Sequence, residues 1–367
     1  MRRIFALHGQ AVIRDVATPT LRSGEVLVRT HYSTVSSGTE SWILRKSIEE
    51  DAKDEEYPGA APYVYPNIRS GIRGPLEPRR PEPGLISIGY SLAGEVIEVG
   101  EGVTDLAVGD LVACSGSQCS HHAEVVAVPR NLVARIPEGV SVADASFVTL
   151  GAVAEEALRQ TDCTFGETVV LYGMGLLGML AGQVAQAAGL YVIGLEIDPG
   201  RRALAQELGI QDVHDPRGVD LVELVRSRTN GFGADAVVLG VVTESNEPIN
   251  TALDLCRQRG RVVGLGLFGM DVERARMWDR TFVQAIAYGP GRYDPSYEES
   301  GVDYPIGLVR WTENRNQGHF LRLLADGKVR TAPLAKSFAF EDAPDAYRLL
   351  QSPERPPTVQ FRYPDPG

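Results

Sequence analysis

Long apolar runs are what this sequence most clearly lacks. None approaches the roughly 20 residues that a membrane-spanning helix requires, so no membrane partner is expected. The opening Met-Arg-Arg-Ile-Phe-Ala-Leu-His-Gly runs straight into strand-like sequence, with none of the apolar core of a signal peptide. Basic excess is missing too. Lys and Arg number 36 against 48 Asp and Glu, a formal net charge of −12, which argues against nucleic acid or an anionic membrane surface as a partner. Cysteines are scarce: Cys114, Cys119, Cys163 and Cys256 show neither zinc-ribbon nor C-x-x-C spacing and fit a reduced, cytoplasmic setting. No internal repeat is evident. What remains is a chain of 367 residues with ordinary globular composition, long enough for two domains.

The stretch from Glu167 to Glu196 organises the chain. Val169 to Tyr172 is a short buried strand, and Gly173-Met174-Gly175-Leu176-Leu177-Gly178 spells G-x-G-x-x-G. Met179 to Ala188 suits a helix packed closely on a sheet, Tyr191 to Leu195 is a second strand, and Glu196 ends it, 23 residues after Gly173. Each part has a task in holding a dinucleotide. Gly173 makes the tight turn, Gly175 admits a pyrophosphate to the backbone, and Gly178 lets helix and strand pack together. The helix N-terminus offers free N–H groups to the phosphates. Glu196 can accept both hydroxyls of an adenosine ribose, which favours NAD over NADP, although Arg201 and Arg202 leave NADP open. Val241, Leu265 and Gly266 complete the expected cofactor-binding set.

Residues 1–32 look like β-hairpin material, and Ser36-Ser37-Gly38-Thr39-Glu40 leads into a short helix. The segment 47–83, polar and proline-rich, predicts a long surface loop of the kind that lids a site. Strand character returns at 86–99, 108–112 and 122–128, and 142–160 reads as a helix. From there strands alternate with helices, with strands at 234–239 and 261–267 among them, which implies a parallel, doubly wound sheet. A segment dense in aromatic and polar side chains at 288–316 precedes a helix at 317–326 and a closing strand at 358–363.

Gly94-Glu95-Val96, Val108-Gly109-Asp110-Leu111-Val112, the Gly173 fingerprint, Gly260-Arg261-Val262-Val263-Gly264 and Phe340-Glu341-Asp342-Ala343 follow in an order and spacing that resemble the medium-chain dehydrogenase/reductase superfamily over nearly the whole chain. That group holds the zinc alcohol dehydrogenases, polyol dehydrogenases and quinone reductases. Gly289-Pro290-Gly291-Arg292-Tyr293-Asp294 and Arg310-Trp311-Thr312-Glu313-Asn314-Arg315-Asn316 resemble a branch whose members are often described as zinc-binding dehydrogenases or occur fused to a second oxidoreductase domain. The resemblance implies an α/β protein: a GroES-like β-barrel catalytic domain at 1–150, completed by 318–367, and a Rossmann domain at 151–317 that includes the 288–316 insertion.

The zinc of the resembling enzymes is not expected here. They carry Cys-Gly-Thr/Ser-Asp where this chain has Ser37-Gly38-Thr39-Glu40, and Gly-His-Glu where it has Gly89-Tyr90-Ser91. A hydroxyl and a phenol are poor zinc ligands at neutral pH. A zinc rebuilt from Cys114, His121, His122 or Glu155 is the competing arrangement. Without metal, Tyr90 is the first candidate to donate a proton to a substrate oxygen, against a plain aromatic wall. Ser37 stands beside it in the lost ligand set. Thr39 matches a hydroxyl that relays protons in the zinc relatives, against a helix cap. Neighbours on a strand alternate, so one of His121 and His122 is expected to face the site and the other solvent. Glu155 lies near the family's third ligand region. Arg292, Tyr293, Arg310 and Trp311 are expected at the substrate, because guanidinium forks recognise phosphate or carboxylate. The bland alternative is a set of structural ion pairs.

These residues point to a zinc-independent, NAD-dependent oxidoreductase acting on a polar alcohol or ketone, such as a sugar, cyclitol or secondary-metabolism intermediate. A quinone- or enoyl-type reductase, a tightly held NAD used transiently in epimerisation or elimination, and a nucleotide-binding redox sensor are the rivals. A homodimer is expected through the apolar strand at 261–267, taken as the edge of the Rossmann sheet.

Overall fold

The computed structural model of the protein describes residues 1–49, 84–285 and 287–364. The expected loop at 47–83 therefore lies, from residue 50 on, outside the described residues. In chain order the strands are β1 (Arg2–Leu7), β2 (Gln10–Asp15), β3 (Glu25–Thr34), β4 (Ile86–Ser87), β5 (Ser91–Val99), β6 (Leu111–Ser115), β7 (Val125–Pro129) and β8 (Val133–Arg135). Then come β9 (Thr168–Tyr172), β10 (Tyr191–Leu195), β11 (Val213–His214), β12 (Ala234–Leu239), β13 (Cys256–Gly264) and β14 (Thr281–Gln284), and finally β15 (Ala335–Ala339) and β16 (Thr358–Arg362). Contacts divide the chain into two units: Met1–Thr149 with Pro290–Ala325 and Leu334–Gly367, and Leu150–Gly289 with Asp326–Pro333.

The first unit is built on a seven-stranded sheet ordered β15-β16-β3-β5-β6-β8, with β7 pairing on β3 as well. The long β3 is its spine, and it makes room for β5 through two register shifts, between Leu27 and Val28 and between Thr30 and Tyr32. A smaller sheet, β2-β1-β4, lies beside an apolar core of Ile4, Leu44, Ile88, Phe340, Tyr347 and Phe361. The expected strand at 86–99 is two strands, because Gly89 turns the chain at φ +93° and a Cβ there would lie 2.5 Å from the His122 amide nitrogen. That tight approach fixes where Tyr90 leaves the chain.

The second unit is a six-stranded sheet ordered β11-β10-β9-β12-β13-β14, and every pairing in it is parallel. β9 is a continuous apolar run with Val169, Val170 and Leu171 buried, as a strand covered on both faces must be. The order reverses between β9 and β12, and ligands of doubly wound sheets bind at such a switch point.

Three further expectations differ from the structure. The strand at 261–267 is not the edge: β13 pairs with β14 outside it, Arg261 opposite Thr281 and Gly264 opposite Gln284. Its apolar character comes from being interior, while the true edge is too short and too exposed to announce itself. The 290–316 part of the insertion packs with the first unit, not with the Rossmann segment. The Asn131 side chain donates to the Tyr297 carbonyl at 2.8 Å, and the Asn314 amide donates to the carbonyls of Asn131 and Val133. The helix expected at 317–326 starts earlier, at Glu313.

Candidate active site

In the second unit the fingerprint loop has the geometry its residues imply. A Cβ on Gly178 would lie 2.1 Å from the Gly173 carbonyl oxygen, so only glycine lets the helix Leu176–Ala187 come so close to the turn. Gly175 is the reverse case: a Cβ there would meet nothing within 4 Å, which leaves the backbone open at the helix N-terminus. Gly175 is also the N-cap and brings no side-chain acceptor, so the first-turn N–H groups are left for a ligand. Glu196 is buried and reaches back to the loop, accepting from the Met174 N–H at 2.9 Å and the Asp198 N–H at 3.0 Å. Each carboxylate oxygen keeps a lone pair for a ribose hydroxyl. Val241 and Gly266 join the group: a Cβ on Gly173 would lie 3.1 Å from Val241 Cγ1, and one on Gly266 would lie 1.9 Å from the Val241 carbonyl oxygen. Leu265 donates its N–H to Leu239 at 2.9 Å beside them. A dinucleotide fits these residues. The Arg201 backbone N–H donates to Asp198, the cap of its helix, at 2.9 Å, whereas Arg202 donates to the Glu196 and Ile197 carbonyls and is tied to Asp215 at 3.2 Å.

In the first unit, Tyr90 is half-buried and its hydroxyl lies against those of Ser36 and Thr39. Burial pushes its pKa up to about 12; the Ser36 and Thr39 hydrogen bonds oppose this, and the charges of Glu40 and Tyr293 add to it. The phenol is therefore a proton donor at neutral pH and not a ready-made base. Its carbonyl accepts from Thr149 Oγ1 at 2.8 Å, which anchors the residue from behind. Thr39 itself is an exposed residue, and its hydroxyl lies 3.4 Å from that of Ser36. Tyr293 stands near Tyr90 and holds φ +68°, an uncommon conformation for a bulky residue. Its N–H donates to Glu298 at 3.2 Å, and the Arg292 guanidinium stacks 4.1 Å over its ring.

The two histidines do not alternate between site and solvent. His121 is 3 % exposed and His122 0 %. Both ring nitrogens of His121 lack a hydrogen-bond partner of ordinary geometry. Burial first, then the Arg3 charge, holds its pKa well below the usual histidine value. His122 is fully engaged: Nε2 lies 3.0 Å from Glu40 Oε2 and Nδ1 2.7 Å from Ser33 Oγ, which lies 3.0 Å from the Tyr363 hydroxyl. Glu40 also accepts from the Ser36 N–H at 2.8 Å and from the Tyr347 hydroxyl. Five buried side chains thus form one network with Glu40 at its centre. The network assigns the His122 proton to Nε2, facing the carboxylate, and leaves Nδ1 to accept from Ser33.

The arginine constellation is mostly committed internally. Arg292 donates to Glu298, to Gln118 at 3.1 Å and to Ser117 at 2.7 Å, and its side chain is only 11 % exposed. Arg315 pairs with Asp303 and donates to the Val309 and Tyr304 carbonyls. Arg310 is exposed and stacks 4.0 Å over Trp311. Beneath Arg292, Glu313 is fully buried with neither carboxylate oxygen partnered, and the Gln317 amide, one turn on, is unpartnered too. Burial, then the neighbouring Glu298, pushes the Glu313 pKa well up, with Arg292 opposing. Glu155, in the helix Val148–Gln160, is buried and pairs with Arg159 at 3.2 Å.

The donor set at the family's zinc positions is a poor match for the metal. Ser37 Oγ donates to the Pro357 carbonyl at 2.7 Å, and Tyr90 keeps its proton. Burial raises the Cys114 and Cys119 thiols, the latter to about 12. Among the described residues no group of three or more His, Cys, Asp or Glu is arranged to hold a metal ion.

Two family models match in chain order: an alcohol dehydrogenase GroES-like domain over residues 22–165 and a zinc-binding dehydrogenase domain over 177–296. The chain belongs to the medium-chain dehydrogenase/reductase superfamily. It is similar to the sorbitol dehydrogenase of Halalkalibacterium halodurans, 32% identical over 51% of this chain and 63% of the relative. It is also similar to the D-guloside 3-dehydrogenase of Escherichia coli K12, 29% identical over 62% of this chain and 63% of the relative. The matched region thus spans less than two thirds of either relative's own length. In fold it matches alcohol dehydrogenase TADH from Thermus sp. ATN1, with a TM-score of 0.74 and 21% identity over 99% of this chain and 100% of that one.

Within a medium-chain dehydrogenase/reductase the first unit is the GroES-like domain and the second the Rossmann domain. The residues that sequence reasoning passed over are Ser33, Glu40, Tyr347 and Tyr363. Only Glu40 had a local signal: an acid four residues after Ser36, at the start of a helix, is placed to reach back as a cap. No helix of the described residues is long and apolar enough to cross a membrane.

Proposed function

We propose that the chain is an NAD-dependent, zinc-independent oxidoreductase that interconverts a polar secondary alcohol and its ketone, of the polyol, sugar or cyclitol kind, in the cytoplasm. The observation that carries this is the protonated Tyr90 phenol set against Ser36 and Thr39, where the zinc relatives place a ligand. The sorbitol and guloside dehydrogenases among its relatives support a polyhydroxylated substrate.

Gly175 and the first turn of the helix Leu176–Ala187 would hold the pyrophosphate, and Glu196 the adenosine ribose. The carboxylate of Glu196 would repel a 2′-phosphate, which supports NAD over NADP. When bound, the cofactor supplies or accepts the hydride. Tyr90 hydrogen-bonds the substrate oxygen and gives up its proton as negative charge develops there. Thr39, exposed to water, returns a proton to the phenol. His121 and His122 are both enclosed and take no part in that return. Arg310 and Trp311, stacked at the surface of the 290–316 segment, are the remaining candidates to meet a substrate hydroxyl or anion.

A homodimer is proposed through the edge of the Rossmann sheet at β14, which among the described residues has no strand outside it and so invites a second copy. Light scattering that finds a monomer at micromolar concentration would contradict it. The activity is tested by mixing the protein with oxidised or reduced NAD and a panel of polyols, glycosides and their ketones, and following nicotinamide absorbance. Turnover with a member of the panel is expected, together with elemental analysis far below one zinc per chain. Cofactor binding with no absorbance change across the panel would favour a sensor instead.

A further inference from the structure

We propose that Glu40 is the positioning residue of the Tyr90 site, a role that rests on Tyr90 being the proton donor. Glu40 stands in the first turn of the helix Ser37–Glu49 and is 0 % exposed. It is tied to Tyr90 by two routes. On the hydroxyl side, Oε1 accepts the Ser36 N–H at 2.8 Å, and the side chains of Ser36 and Thr39 flank the Tyr90 phenol. On the backbone side, Oε2 takes His122 Nε2 at 3.0 Å, and the His122 backbone packs so tightly on Gly89 that a Cβ there would lie 2.5 Å from its nitrogen. Gly89 immediately precedes Tyr90.

The carboxylate cannot drift, because Tyr347 also donates to Oε2. Behind His122 the network closes on Ser33 and Tyr363, both buried, and among the described residues it ends there. Such an enclosed chain of hydrogen bonds is suited to holding geometry rather than to carrying protons out. The competing role is a helix cap alone, in which Glu40 satisfies the Ser36 N–H and stabilises the helix with no effect on Tyr90.

The two roles separate in a probe that needs no turnover. meta-Fluorotyrosine is placed at position 90 in the full chain and its fluorine resonance is followed by NMR. Glu40→Ala is expected to move or split the line by more than its width. Glu40→Gln is expected to keep it in place, because the amide oxygen can still accept from Ser36 while the direction of the hydroxyl chain behind His122 reverses. If Glu40→Ala does not fold, Glu40→Asp, one methylene short of its partners, is read in the same way. A folded Glu40→Ala or Glu40→Asp with an unmoved line reduces Glu40 to a cap and overturns the proposal, as does a Glu40→Gln line displaced as far as the truncation. With an alcohol from the panel, misplacing the donor should lower kcat by up to about 10²-fold while KM and cofactor affinity hold. A moved line together with full turnover in Tyr90→Phe would leave the positioning role standing and remove Tyr90 as the acid.

Discussion

The two candidate sites of this chain are built on opposite plans. The fingerprint loop of the second unit is made of backbone: glycines that keep a Cβ out, N–H groups at a helix end, and one carboxylate reaching back over 22 residues to Met174. The Tyr90 site of the first unit is made of side chains drawn from distant parts of the sequence, with Glu40 joined to Tyr347 across 307 residues. A backbone site is brittle to added volume, and a side-chain site is brittle to lost hydrogen bonds. The substitutions below press each site in the way it should yield.

Gly178→Val is expected to have the largest effect. Its new methyls have nowhere to go with the Gly173 carbonyl 2.1 Å from the Cβ, so NAD binding by calorimetry should be lost outright. The comparable insult to the first unit adds nothing and removes one oxygen. Tyr90→Phe should bind cofactor normally and lose about 10²–10⁴-fold in turnover, the usual cost of deleting a general acid. Near-full turnover would make Tyr90 a wall and move the search for the acid to Glu155 or Arg310. Glu196→Ala tests the one side chain on which the backbone site depends. NAD should weaken roughly tenfold to a hundredfold, as for a charge-assisted hydrogen bond, while NADP gains relative to it in paired titrations. Tighter NADP binding by the unaltered protein would reverse the cofactor assignment.

The smallest effect concerns the buried, unpartnered Glu313. An acid whose folded pKa lies above its unfolded value holds a proton that the unfolded chain releases. Its contribution to stability is complete below the ordinary carboxylate range and lost as pH rises towards the raised value. Glu313→Gln should therefore lose less melting temperature than the unaltered protein between about pH 5 and about pH 8, a difference of a few degrees. Parallel melting curves across that range would show that Glu313 has found a partner in solution.

What could be read from the sequence follows the same division. The loop Gly173 to Gly178, the strand before it and Glu196 after it are contiguous, and their chemistry is local, so residue types alone announce them. The switch from β9 to β12 was legible as alternating strands and helices. The Glu40 network was not, because nothing local marks Ser33, His122, Tyr347 and Tyr363 as neighbours. Arg292 looked like an anion receptor for want of weighing Glu298, which lies 6 residues away and takes its guanidinium group. The edge of the Rossmann sheet was misplaced because an interior parallel strand is more apolar than the edge strand that covers it.

The pairing of β16 with β3, Gln360 opposite Thr34, has a consequence for the order in which the molecule assembles. Most of the second unit, residues 150–289, is one uninterrupted span whose strands can pair as they leave the ribosome. The first unit must wait: the Ser37 hydroxyl bonds to Pro357 and Thr358 bonds to Val35, so the end of β3 and the helix that follows it lack these partners until residues 357–362 are made. Contacts that close such long loops form late and slowly. The nascent chain would thus complete its parallel sheet well before β16 closes the sheet of the first unit.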